Sequence, residues 1–224
     1  MYAERFTQNG FAITGPLLSR AACAEIESVV DRIAFNGAGT RSLIDRPWCQ
    51  VLSKSIRQYP DVRQLLPDDY VAVQCTYFEK SVALNWLVPL HQDLSIPVKE
   101  RIEHPELTGW SEKDGSIFVQ PPREFLEKLV ALRLHIDECG LEDGPLKVIS
   151  GSHLLGRLCN DAALEIRAMR GEVACPVEKG CALMMRPLLL HASSKSVGQS
   201  RRRVLHFVFG PRNPPYGLTW RHAV

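Results

Sequence analysis

The chain has 224 residues and a mass of 25.2 kDa, with 45% hydrophobic and 23% charged side chains, which suffices for one sizeable core and excludes disordered, collagenous and low-complexity classes. Lys plus Arg number 27 against 25 Asp plus Glu, and a formal charge of +2 gives no electrostatic case for nucleic acid or a membrane surface. No apolar run approaches the roughly 20 residues that span a bilayer, and the opening Met1-Tyr2-Ala3-Glu4-Arg5-Phe6 is unlike a secretory leader, so a cytoplasmic location is expected.

The seven cysteines, Cys23, Cys49, Cys75, Cys139, Cys159, Cys175 and Cys181, are odd in number and form no Cys-x-x-Cys pair. They read as small buried hydrophobes in a reducing compartment, not as a disulfide frame or a zinc site. No repeat, linker or compositional break divides the chain, so 1–224 reads as a single domain, helical over about 1–68.

In chain order, residues 1–9 predict a short helix and 11–14 a strand. Ser19 is a plausible N-cap for a helix to about 33, where Ile26, Val29, Val30 and Ile33 recur at helical spacing. A Gly-rich turn is expected at 37–39. Pro47 suits the first position of a helix to about 58, and a shorter one covers 60–66. The pattern then changes. Residues 70–78 read as a strand, and 88–98 as an extended segment carrying two prolines. Strands at 129–136 and 146–149 flank the turn 142–145. A helix at 161–170 precedes strands at 173–177, 181–185 and 202–209, with a polar loop at 193–200 before the last. Helices followed by many short strands point to a mainly β sandwich or barrel backed by N-terminal helices.

Two His-x-Asp steps stand out, His91-Gln92-Asp93 and His135-Ile136-Asp137. In an extended chain, residues i and i+2 point to one face, so both side chains can reach one point. Either step also reads as a strand-end histidine beside an acidic surface neighbour. The first is favoured because His91 lies between Pro89 and Pro97, in a strand too interrupted for an ordinary core ladder. Asp137 runs into Glu138-Cys139-Gly140 and has the look of a solvated strand exit. His191 ends the apolar run Leu188-Leu189-Leu190. Two imidazoles and one carboxylate on one side of a metal make the facial triad of non-haem Fe(II) oxygenases. Arg202 heads a strand on which Arg202, Val204, His206 and Val208 share one face and Leu205, Phe207 and Phe209 the other. A guanidinium entering a barrel needs an anion, though Arg201–Arg203 also reads as a solvated basic turn.

Taken together, these segments resemble the phytanoyl-CoA dioxygenase family of Fe(II)/2-oxoglutarate oxygenases. The resemblance is carried by Lys80, by Asn85-Trp86-Leu87-Val88-Pro89-Leu90-His91-Gln92-Asp93 and by Thr108-Gly109-Trp110 through Gly115. It continues through Val119-Gln120-Pro121-Pro122, Leu132 to Cys139, Gly144 to His153, His191-Ala192-Ser193 and Arg202. The resemblance implies a double-stranded β-helix, or jelly roll, over about 69–210. It implies Fe(II) bound by His91, Asp93 and His191, with His135 and Asp137 in a neighbouring core strand. It implies that Arg202, helped by the Ser193 hydroxyl, holds the distal carboxylate of 2-oxoglutarate, with Gln74 and Trp110 lining the co-substrate pocket. Lys80 matches a recurrent basic position that serves either co-substrate or structure. The implied reaction consumes O2 and 2-oxoglutarate, releases succinate and CO2, and hydroxylates a small organic molecule. The intact Asp93 favours hydroxylation over halogenation, since related halogenases replace this carboxylate with a small residue. Phe118 and Leu90 stand where relatives carry polar and aromatic residues, and both departures bear on the substrate. The segment 96–120 and the tail after Phe209 are expected to cover the mouth of the site. Two rival readings are a cupin-like metalloenzyme that does not use 2-oxoglutarate, favoured if Arg202 faces solvent, and a jelly-roll module that binds without turnover.

Overall fold

In the computed structural model, which describes residues 2–33 and 39–224, helix α1 (Tyr2–Asn9) leads into strand β1 (Phe11–Ile13) and helix α2 (Arg20–Val30). Ser19 caps α2, its hydroxyl accepting the Ala22 N–H at 3.1 Å. The expected turn at 37–39 falls, at 37 and 38, outside the described residues. A short strand β2 (Gly39–Thr40) precedes helices α3 (Pro47–Ile56) and α4 (Pro60–Arg63), each with proline in its first turn. The chain then forms β3 (Tyr70–Lys80), β4 (Val88–His91), β5 (Ile96–Val98), β6 (Thr108–Lys113) and β7 (Ser116–Gln120). The short helix α5 (Arg123–Leu126), β8 (Val130–His135), β9 (Leu146–Val148) and helix α6 (Asn160–Arg170) follow. The chain continues with β10 (Val173–Cys175), β11 (Ala182–Met185), β12 (His191–Ser193) and β13 (Arg202–Pro211).

The strands pair antiparallel in a six-stranded sheet, ordered β1-β11-β8-β13-β3-β2, and a four-stranded sheet, ordered β10-β9-β12-β4. These are the two walls of the jelly roll. A smaller sheet, β5-β7-β6, stands at one end. The alternation in β13 sets the layers. Leu205, Phe207 and Phe209 join Ala72, Cys75 and Tyr77 of β3 in a core shared with Phe6, Val30, Leu52 and Ile56 of the helices. Arg202, His206 and Val208 of the opposite face line an internal cavity. β8, between β11 and β13, is buried at every residue.

The structure departs from the sequence reading in four places. Besides the expected strand at 11–14, seen as β1 paired with β11, the N-terminal part contributes an unforeseen strand, β2, which pairs with β3, so the larger sheet is extended at both edges. The hairpin β6–β7 has no counterpart among the expected strands. Its polar sequence hides the alternation, although Asp114-Gly115 at its turn has φ of +50° and +68°, as the mirror-image turn of tight hairpins requires. Asp137 is not a solvated strand exit: its carboxylate accepts from Arg203 Nε at 2.7 Å and Nη2 at 2.8 Å. The tail after Phe209 contributes no residue to the cavity wall, although Arg221 and His222 line a smaller pocket beside it with Arg41, Gln74 and Phe118. Trp220 packs on Phe125, its Nε1–H donates to Pro211 O at 2.8 Å, and Val224 exchanges backbone hydrogen bonds with Ala72.

Candidate active site

His91 on β4 and His191 on β12 are direct cross-strand partners, and their rings lie 4.1 Å apart between centroids. Each ring donates its Nδ1–H to the carbonyl two residues earlier, His91 to Pro89 and His191 to Leu189, both at 2.8 Å. This leaves each Nε2 lone pair free for a metal. Asp93, just past β4, has its backbone N–H held by Pro187 O at 2.9 Å. Its carboxylate stands 3.6 Å from His91 Nε2 and 3.7 Å from His191 Nε2. One ligand atom from each of the three lies within 4.8 Å of the others, a donor set that fits a divalent iron. Gln92, between them, points away. It donates to Gly156 O at 2.8 Å and Leu188 O at 2.6 Å and accepts from Leu158 N at 2.9 Å, pinning the loops that carry the site.

Electrostatics keep the three ready to bind. Burial opposes the charge on Asp93, but His191, His91 and His206 outweigh it and hold the carboxyl well below the usual carboxylate range. Burial pushes His191 down to about 4, against the pull of Asp93, so it is neutral at physiological pH. Burial also opposes the charge on His91, yet the negative charge of Asp93 beside it and the Pro89 carbonyl raise it. The other pair does not form a site. His135 is buried in β8, and Asp137 is committed to Arg203, which also reaches Glu27 and Asp31.

The cavity has a volume of about 410 Å³. At one end lie Arg202 and Ser193. Arg202 is 2% exposed, so Arg201–Arg203 is not a solvated turn; its Nη1 donates to Gly144 O, and its buried Nε has no partner among the described residues. The Ser193 hydroxyl donates to the same carbonyl at 2.9 Å and accepts from Lys80 Nζ at 2.5 Å. Gly144 has φ +62°, and a Cβ there would lie 2.5 Å from Ser194 O, so glycine alone lets this carbonyl reach both donors. Lys80 is fully buried behind Ser193, also donates to Ser194 O, and is pushed down to about 7 by burial and by Arg202. It is absent from the cavity wall and holds the end of β12 in place. Asn85 braces the same loop through two 2.8 Å hydrogen bonds with Ser196, and Trp86 Nε1 donates to Glu79 O at the end of β3 at 2.8 Å.

Of the remaining expected contacts, Gln74 lines the cavity and donates to Thr76 Oγ1 at 2.7 Å. Trp110 does not reach it. Its ring packs against the cluster of Val98, Leu107 and Trp220, with Arg101 at 5.5 Å over its face. Phe118 lines the cavity, whereas Leu90 packs against Ile149, Ala163, Ile166 and Leu190 outside it. The segment 96–120 contributes Ile96, Lys113, Phe118 and Gln120 to the wall. The sequence reading missed Arg133, Lys113 and Arg41, which also line it. Arg133 carried a signal, a lone charge in an otherwise apolar strand segment, paired across β13 with His206. It donates to His206 Nδ1 at 3.1 Å, so the neutral ring carries its proton on Nε2, 3.8 Å from Asp93. Burial and Arg133 push His206 down to about 3.

The family model for phytanoyl-CoA dioxygenase (PhyH) matches residues 6–204. The chain belongs to the phytanoyl-CoA dioxygenase family. It is accordingly an Fe(II)- and 2-oxoglutarate-dependent oxygenase, with Fe(II), 2-oxoglutarate and O2 as its cofactor and co-substrates. Among curated protein sequences none matches. Solved structures with the same fold include EctD from S. alaskensis, at 16% identity and TM-score 0.69 over 99% of this chain and 84% of that one. AviO1 from Streptomyces viridochromogenes Tue57 is similar at 19% identity and TM-score 0.65, over 96% and 95%. HygX from Streptomyces hygroscopicus, solved with nickel and 2-oxoglutarate bound, is similar at 16% identity and TM-score 0.64, over 97% and 87%.

Proposed function

We propose that this protein hydroxylates a small organic molecule in a reducing, cytoplasmic setting, with His91, Asp93 and His191 holding the iron. The observation that carries this reading is the convergence of three ligand atoms within 4.8 Å on the wall of a cavity that also contains a buried, incompletely bonded Arg202. In the reading, Arg202, held through Nη1 on the Gly144 carbonyl, offers its remaining N–H groups, with Ser193 beside it, to the distal carboxylate of 2-oxoglutarate, a bidentate match for a guanidinium. Gln74 lines the same space, and Trp110 is left out of the binding set. Iron with 2-oxoglutarate supplies the O2-activating chemistry: one oxygen atom enters succinate, CO2 leaves, and the other oxygen becomes the product hydroxyl. The protein's share is orientation and exclusion of water. The cross-strand pairing of His91 with His191 fixes two ligands, and the Pro187 carbonyl fixes the backbone of the third.

One domain over 1–224, with a helical part to about 68 and a jelly roll over about 69–210, is the organisation we infer. It is supported by the core that helix residues share with β3 and β13. The buried Arg202 weighs against a metalloenzyme that works without 2-oxoglutarate. All seven cysteines are free, in keeping with a reducing compartment, and no helix of the described residues is long and apolar enough to cross a membrane. The test is succinate release from iron-loaded protein. Succinate should require Fe(II), O2 and 2-oxoglutarate together and should disappear in His191→Ala. Labelled oxygen from 18O2 should appear in succinate. Wild-type protein that binds iron yet makes no more succinate than the variant contradicts the reading.

A further inference from the structure

Iron and 2-oxoglutarate do not account for every charge in this cavity. Four wall residues are Lys or Arg, namely Arg41, Lys113, Arg133 and Arg202, and Asp93 is the lone carboxylate. Asp93 is committed to iron and Arg202 to the co-substrate in the reading above, on which this inference rests. Arg41 is answered by Asp114, whose carboxylate accepts its backbone N–H at 2.9 Å and lies 3.6 Å from its guanidinium. Among the described residues Arg133 and Lys113 make no ion pair; the carboxylate whose charge acts on both is Asp93, which the iron takes up. Arg133 is 7% exposed; among the described residues it makes one hydrogen bond, to the neutral His206 ring, lies over the face of Phe78 at 5.3 Å, and leaves its buried Nε without a partner. Lys113 reaches from the β6–β7 hairpin over the Phe118 ring at 5.1 Å and makes no ion pair among the described residues. A guanidinium this buried costs free energy unless an anion meets it.

We propose that the primary substrate is a small organic acid, and that Arg133 and Lys113 are the residues that select its anionic group. The carbon to be hydroxylated then lies between that group and the iron, against the apolar surface of Phe118 and Ile96. A cavity of about 410 Å³ is at the low end of small-molecule sites, which run to about 1,000 Å³, and it must hold the co-substrate too, so the enclosed part of the substrate is small.

The test uses full-length protein loaded anaerobically with Fe(II) and 2-oxoglutarate, whose weak visible charge-transfer band is recorded first. Acetate, benzoate, phenylacetate and phenyl phosphate are then titrated against acetamide, benzamide, phenylacetamide and phenol. Shifts of the band and of the thermal midpoint are followed. At least one acid should perturb the loaded site at a concentration at least about tenfold below that of its neutral counterpart, a charge-assisted contact being worth that much. The preference should vanish in Arg133→Gln and in Lys113→Met. Lys113→Met alters a half-exposed hairpin side chain and keeps the test available if Arg133→Gln does not fold. The panel separates carboxylates from a phosphate monoester. Neutral compounds that act as well as the acids, no response to any acid, or a preference that survives in Lys113→Met overturns the proposal. Absence of the starting band strikes instead at the function proposed above.

Discussion

At the residue scale, the two His-x-Asp steps make a controlled comparison. Asp93 stands beside the imidazoles of His91, His191 and His206, whereas Asp137 clasps a guanidinium. Asp93→Ala should weaken iron binding by more than about 100-fold, since even indirect supports of a metal ligand cost 10–100-fold, and should leave the denaturation midpoint nearly unchanged. Asp137→Asn should do the reverse, costing about 1.5–3 kcal/mol through the loss of charge-assisted hydrogen bonds to Arg203 while iron titrates normally. Equilibrium iron titration and urea denaturation of both variants check this pair of outcomes. The sequence displays both steps alike. What separates them is a long-range partner, Arg203 for one and His191 for the other, and only strand register brings either into reach. Arg133 showed in the sequence as a lone charge in an apolar run, but its role did not, for the same reason. Its significance depends on facing His206 across β13, a pairing that no local pattern encodes.

Elements place these residues, and most were readable where a local signal exists. The Ser19 cap, Pro47 at its helix start and the alternation of β13 all appear where their chemistry puts them. The β6–β7 hairpin was not readable, because Thr108, Ser111, Glu112 and Lys113 break the apolar alternation of a half-buried strand. Nor was the split within Arg201–Arg203, where successive side chains serve the surface, the cavity and helix α2. The loop from β8 to β9 carries a sharper test. Gly144 presents one carbonyl to Arg202 and Ser193 with a left-handed φ of +62°. In Gly144→Ala the new Cβ would strike Ser194 O, so the loop must move. The variant should lose about 1–3 kcal/mol of stability and bind 2-oxoglutarate several-fold more weakly, with iron affinity retained. Unchanged 2-oxoglutarate affinity would mean that this carbonyl does not position the anchor.

For the whole molecule, the jelly-roll interior holds buried neutral histidines, and this gives the metal-free protein a defined response to acid. His191 and His206 are held down to about 4 and about 3, and His135 well below its ordinary value, each first by burial. The unfolded chain takes up protons on all three as pH falls through about 6.5, while the folded chain does not. Stability therefore drops as pH falls from about 6.5 toward 4, by up to about 1.4 kcal/mol per pH unit for each histidine. His91, raised by Asp93, opposes the trend. Urea midpoints at pH 7.5, 6 and 5 should decline; bound iron should raise the midpoint at each pH and steepen the decline, because it keeps His91 as well as His191 free of protons in the folded state. A flat profile would mean that these rings are hydrated. The central claim, that this barrel joins iron and 2-oxoglutarate in one chelate anchored by Arg202, is tested most directly by an anaerobic visible spectrum of metal-free protein. Fe(II) and then 2-oxoglutarate are added in turn. The account predicts a weak charge-transfer band that needs both additions, vanishes in Asp93→Ala and His191→Ala, and requires at least about tenfold more 2-oxoglutarate in Arg202→Met. Iron binding without a band on addition of 2-oxoglutarate, or a band unaffected by loss of Arg202, would contradict it.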